Sequence, residues 1–265
     1  MDITEQNIAG DGSDLPRAQD LPRLHWLSIL AISIFAFALN FQWAALGSIV
    51  LPSQVFKLVG DLDKGTALAY VLIPGAFVSL FANPLFGWLS DSSHGRFARW
   101  GKRRPYILLG TLASVFGLAW MAMSQSIASL GVAFAFTQLA SNAAQAPFHA
   151  LLPDIVPPQQ RGLASGVLGL LVISGTIGGV LASGRLLNSA VTFSLYQQQL
   201  WLVYGIIIGV LLLLMVIALL SVRETAVPAI AVIRRWHISR AVVQIVASTL
   251  IMGLFVWCGI WLWNV

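Results

Sequence analysis

Charge is the scarcest ingredient of this chain. Asp, Glu, Lys and Arg make up 9% of its 265 residues, where a soluble domain carries about a quarter. Apolar residues reach 58% and mean hydropathy is +0.83. Too little polar surface remains to cover a water-soluble exterior, which excludes a soluble fold. Cysteine is nearly missing as well: with Cys258 alone, no disulfide can form within the chain. There is no HExxH, no GxSxG, no phosphate loop and no Cys/His cluster. The sequence therefore reads as neither an enzyme nor a holder of metal or cofactor. The first 22 residues contain no short apolar core followed by a small-residue cleavage site. Residues 1–23 are expected to be a disordered cytoplasmic tail.

What is present is a series of long apolar runs. About 20 helical residues cross roughly 30 Å of hydrocarbon. Seven runs meet that length, near Leu24–Leu51, Thr66–Leu89, Pro105–Ser124, Ala128–Leu152, Gly162–Leu187, Leu200–Val222 and Ala241–Val265. They are continuous rather than alternating, so helices are expected and not barrel strands. The expected organisation is a six-helix bundle over residues 24–222, a cytoplasmic loop over 223–240 and a seventh transmembrane helix over 241–265. The net charge of +5 does not point to nucleic acid, because the cations lie between apolar runs and face lipid headgroups. With the N-terminus inside, twelve of the fifteen Lys and Arg fall on inner segments, leaving Lys57, Lys64 and Arg185 outside. The positive-inside rule then sets the orientation, and seven spans put the C-terminus outside. The fifth run is rich in glycine, from Gly162 to Gly184, as suits close helix approach.

Three constellations stand out. After the second run come Asp91, the basic stretch with Arg96, Arg103 and Arg104, and Pro105 at the next helix start. A carboxylate at a helix C-terminus opposes the helix dipole, so a cation or a helix N-terminus must compensate it. The fourth run carries Asn142, Gln145 and His149 at helical spacings beside Pro147, then Asp154 and Arg161. Polar groups inside a span either join helices or line a wet cavity, and both readings are open. Asn40, Gln42 and Trp43 sit mid-way along the first run. Amides beside an indole suit a hydroxylated solute, and they suit helix packing equally.

The stretch LNFQWAALGSIVLPSQVFKLVG resembles the first helix of sucrose–proton symporters. PGAFVSLFANPLFGWLSD with RFARWGKRRPYILLG is similar to their second helix, loop and third helix. QAPFHALLPD with the later RG resembles the fourth helix and the loop after it. The wider group is the glycoside–pentoside–hexuronide and sucrose-transporter branch of the major facilitator superfamily. The resemblance implies a half-bundle of two inverted three-helix repeats, with one further helix here. It implies alternating-access transport of a sugar or similar small polar solute by a symporter-like protein of the plasma or inner membrane. One bundle cannot enclose a cavity, so a second copy or a complementary C-terminal half is implied. Asp91, Arg96, Arg103, Arg104, Asp154 and Arg161 would form a cytoplasmic gate. Asn40, Gln42, Trp43, Gln138, Asn142, Gln145 and His149 would face the solute. Where the family has a sugar-linked arginine this chain has His149. Its proton-linked acid aligns with Gln138, and the basic residue after Asp91 is Ser92. A non-transporting membrane interaction protein is the alternative.

Overall fold

A computed structural model of the chain describes residues 23–91, 103–187 and 193–221. These belong to the first of two units, Met1–Ala226 and Val227–Val265. Six helices among the described residues are long and apolar enough to cross a membrane. They are α1 (Trp26–Val59), α2 (Lys64–Asp91), α3 (Arg104–Met123), α4 (Ile127–Ile155), α5 (Arg161–Leu187) and α6 (Phe193–Ser221). No strand occurs among the described residues. The expected N-terminal tail up to residue 22, the 223–240 loop and the seventh helix lie outside them.

Two boundaries differ from the sequence reading. The first helix was expected to stop at Leu51 but continues to Val59. A π-helical segment, Leu46–Val50, precedes a renewed α segment, Leu51–Val59, with Pro52 in its first turn. Within the continuous rod Pro52 cannot donate to the preceding turn, and the wider π-helical turn falls next to that interruption. Gly60 ends the helix at φ +82°, a conformation that costs glycine nothing. The sixth helix starts at Phe193, so Gln197, Gln198 and Gln199 are helical and not a loop.

Packing runs mainly between α2 and α4, α3 and α4, and α1 and α5, with α1–α6 and α3–α6 completing the bundle. Exchanging α1, α2, α3 with α4, α5, α6 maps these pairings onto one another, the pattern of two inverted repeats. Burial follows the same pairing: α1 and α4 are the most enclosed spans, α2 and α5 the least. Phe35, Leu39, Leu46, Leu118, Phe148 and Tyr204 are among the buried side chains of the shared core.

The close approaches are made by small residues. A Cβ on Gly175 or Gly179 of α5 would land on the carbonyl oxygen of Phe37 or Phe41 in α1. On α3, Gly110 lies against the backbone of Ala140, Ala143 and Ala144 in α4. Gly162, Gly166 and Gly169 instead face open space. The glycines toward the C-terminal end of α5, Gly175 and Gly179, therefore serve helix contact within this bundle, and those of its first turns do not.

Candidate functional site

The charged end of the bundle is built around helix termini. The helices α2, α4 and α6 all finish there, each leaving backbone carbonyls without helical partners and a partial negative charge. An arginine meets each of them. Arg104 donates to the carbonyl of Leu219 on α6. Arg161 donates to the carbonyls of Pro153 (3.1 Å) and Val156 (3.5 Å) at the end of α4. At the end of α2, Asp91 would worsen the dipole, and Arg103 compensates it. Its guanidinium reaches Asp91 at 2.9 Å and Asp154 of α4 at 3.0 Å. One cation, partly buried at the start of α3, thus ties together three helix ends. Gln160 adds a link to the chain before α1, exchanging two 2.8 Å hydrogen bonds with the backbone of Leu24. Arg96 lies outside the described residues. His149 and Asp154 do not pair, since Asp154 is engaged by Arg103.

The polar groups of α1 and α4 meet at a common depth. The two helices face each other antiparallel, Phe35 edge-on to Phe148 at 5.3 Å and Trp43 edge-on to Phe134 at 6.2 Å. Between these aromatic pairs Gln42 donates to Ser141 (3.1 Å) and Ser114 (3.4 Å), and the two serines bond each other at 2.9 Å. Gln42 has no exposed surface, and its Oε1 has no partner among the described residues. Asn142 is enclosed too. Its amide bonds Ser79 of α2 (3.0 Å) and the carbonyl of Gln138 (2.7 Å).

The structure thus places Gln42 and Asn142 in seams between helices, not on an open face. Burial in lipid makes such interhelical hydrogen bonds useful as glue. The other candidates are more open. Asn40 is partly buried and donates to the carbonyl of Ala36 at 2.8 Å. Trp43, Gln138 and Gln145 are partly buried, and His149 is exposed. Gln145 and His149, one turn apart, meet through their Nε2 atoms at 3.3 Å.

Near the other end of α1, where Ser53 and Gln54 stand out in the sequence, sequence reasoning missed the partners that make a second polar chain. Tyr204 of α6, fully buried, donates to Oε1 of Gln54 at 2.7 Å, and Gln54 donates to the carbonyl of Met121 at 3.1 Å. Beside it Ser53 bonds the Tyr196 hydroxyl at 3.1 Å, and Lys57 stands over the Tyr196 ring at 5.2 Å. The partners are about 70 and 150 positions from Gln54, and no local pattern announces so distant a pairing. An open cleft of about 750 Å³ lies here between α1 and α5, lined by Ile49, Ser53, Val180, Leu181, Arg185 and neighbours. None of the solute-facing candidates lines it. No group of three or more metal-ligating side chains occurs among the described residues.

Comparison with known proteins matches this arrangement to a family. Residues 24–264 fit the model of the Major Facilitator Superfamily. An uncharacterized MFS-type transporter of Mycobacterium tuberculosis (strain H37Rv) is 28% identical over 182 residues, 68% of this chain and 23% of that protein. The sucrose transport protein SUC3 of Arabidopsis thaliana is 26% identical over 170 residues, 56% of this chain and 27% of that protein. The chain spans about a quarter of the length of these relatives. With six apolar spans among the described residues and a family match over most of its length, the chain is an integral membrane protein and belongs to the major facilitator superfamily.

Proposed function

We propose that the chain forms one wall of an alternating-access transporter for a small polar solute, of sugar or glycoside type. The observation that carries the reading is a set of polar side chains left partly open on two facing helices. Trp43 and Asn40 on α1 and Gln138, Gln145 and His149 on α4 are partly buried or exposed, on helices joined by the Phe35–Phe148 and Trp43–Phe134 contacts. An indole face with nearby amides binds a hydroxylated ring by stacking and by hydrogen bonds. The partial likeness to a protein named for sucrose transport supports the choice of solute. In this reading Gln42 and Asn142 hold the wall in shape behind the patch.

The second wall comes from a complementary half or a second copy of the chain. The inner gate is the charge cluster of Asp91, Arg103, Arg104, Asp154 and Arg161, and the same reading assigns Arg96 to it. The N-terminus lies in the cytoplasm, and the membrane is the plasma or inner membrane.

The enclosure of Gln42 and Asn142 also favours a second reading, a non-transporting membrane interaction protein whose polar groups serve packing alone. Radiolabelled sucrose in proteoliposomes separates the two. The transport reading expects accumulation or counterflow that falls at least tenfold in Trp43→Ala. No flux of sucrose or of any other sugar or glycoside in any assembled form, from copies of this chain or with a complementary half, refutes it.

A further inference from the structure

We propose that Gln145 and His149 form a recognition pair whose hydrogen-bonding polarity is reversed by one proton. The inference rests on the solute-wall reading only for its ligand, not for its mechanism. The geometry begins with the 3.3 Å contact between the two Nε2 atoms. An amide nitrogen donates and does not accept. The contact is therefore a hydrogen bond only when Nε2 of His149 carries a lone pair, which places the ring proton on Nδ1. In that state the Gln145 amide is anchored through its nitrogen, and its Oε1 is offered to the open side as an acceptor. Nothing among the described residues takes up that oxygen.

Adding a proton makes both ring nitrogens donors. Two N–H groups then face each other, a repulsive arrangement. Rotation of the Gln145 amide by half a turn removes it. Oε1 accepts from Nε2–H, and the –NH2 swings to the open side. The pair changes from offering an acceptor to offering a donor beside a cationic ring. A hydroxylated solute can satisfy either state, because each hydroxyl both donates and accepts. A solute presenting a carboxylate there suits only the protonated state, and one presenting an ammonium only the neutral state.

The surroundings leave this exchange to the pair itself. Phe148 borders the His149 ring, at 5.5 Å between centroids. Among the described residues at this end of the elements packed around α4, the charged or titratable groups include Asp91 and Arg103, with Asp154 on α4 itself. Arg161 just beyond α4 engages the carbonyls of Pro153 and Val156, and His25 caps the start of α1. Arg103 holds both Asp91 and Asp154. Arg104 and Tyr106 of α3 engage the backbone carbonyls of Leu219 and Leu89. Tyr70 of α2 and Lys57 of α1 lie toward the opposite end of their helices.

The test is ¹⁵N NMR of the full chain in nanodiscs, labelled at histidine and at the glutamine side-chain amide. It runs from about pH 5 to about pH 8, the range over which imidazole changes charge. His149→Gln and Gln145→Ala assign the signals. Expected are an Nδ1–H tautomer of His149 at the upper end and a shift of the Gln145 amide with the same midpoint as the ring. The amide shift is lost in His149→Gln, and the tautomer preference is lost in Gln145→Ala. Either variant suffices should the other fail to fold. An Nε2–H tautomer at high pH, or a Gln145 amide that stays still while the ring titrates, overturns the inference. Binding of sucrose or of another sugar or glycoside, measured on the same samples, keeps the two readings apart. Co-titration without any such binding at any pH sinks the transport reading alone, and such binding without co-titration sinks this inference alone.

Discussion

At the scale of single residues, the strongest constraints come from groups that have no room or no alternative partner. Gly179 is one, since any side chain there meets the Phe41 carbonyl. Gly179→Ala is expected to cost about 1–3 kcal/mol by overpacking, seen as a lower Tm in detergent, while Gly169→Ala in open space does not lower Tm. The sequence reading gave both glycines one role, close helix approach. They lie about 80° apart around the helix, and it is the Gly179 side that meets α1. Tyr204 is the second case. Tyr204→Phe strands the enclosed Oε1 of Gln54 without its donor, with an expected loss of about 1–3 kcal/mol. A Tm equal to that of the parent chain would show that Gln54 finds another partner.

At the scale of elements, the arginines at the charged end act on helices more than on single partners. The need for a cation near Asp91 was legible, because a carboxylate at a helix C-terminus is unfavourable on its own. That the same Arg103 would also take Asp154 was not, since the helices α2 and α4 come together only through tertiary packing. Both carboxylates are largely exposed (61%), so water screens each pair and little stability depends on it. The effect belongs to the opening of the helix ends. Arg103→Gln is expected to raise maleimide labelling of a cysteine at the buried Ser90 position, measured in a Cys258→Ser background. Asp91→Asn should raise it less, because Arg103 still holds Asp154. Equal labelling in all three would separate the ion pairs from closure of this end. The polar residues of α1 and α4 were likewise legible as a set, but not their division. Gln42 turned into a seam while its neighbour Trp43 remained partly open, because adjacent helical positions point about 100° apart.

At the scale of the whole molecule, seven long apolar runs with most cations between them on one side were expected from the sequence, and six of these runs are spans among the described residues. The proposed orientation predicts that a cysteine replacing Leu62, 99% exposed between α1 and α2, reacts with an impermeant maleimide added outside intact cells. Labelling only after permeabilisation would invert the topology. Less visible was how one long helix serves the bundle at both ends. Gln42 and Gln54 are twelve positions apart, which on a regular helix sets their directions about 120° apart. Both are nonetheless enclosed. The wider turn at Leu46–Val50 absorbs one surplus residue, and eleven effective steps bring the two amides within about 20° of each other. Phase, not composition, is what this segment supplies. Removing one residue there, such as the exposed Gly47, should restore an uninterrupted α-helix and leave Gln54 aimed at Tyr204, whereas adding one would rotate the entire distal third of the rod away from its neighbours.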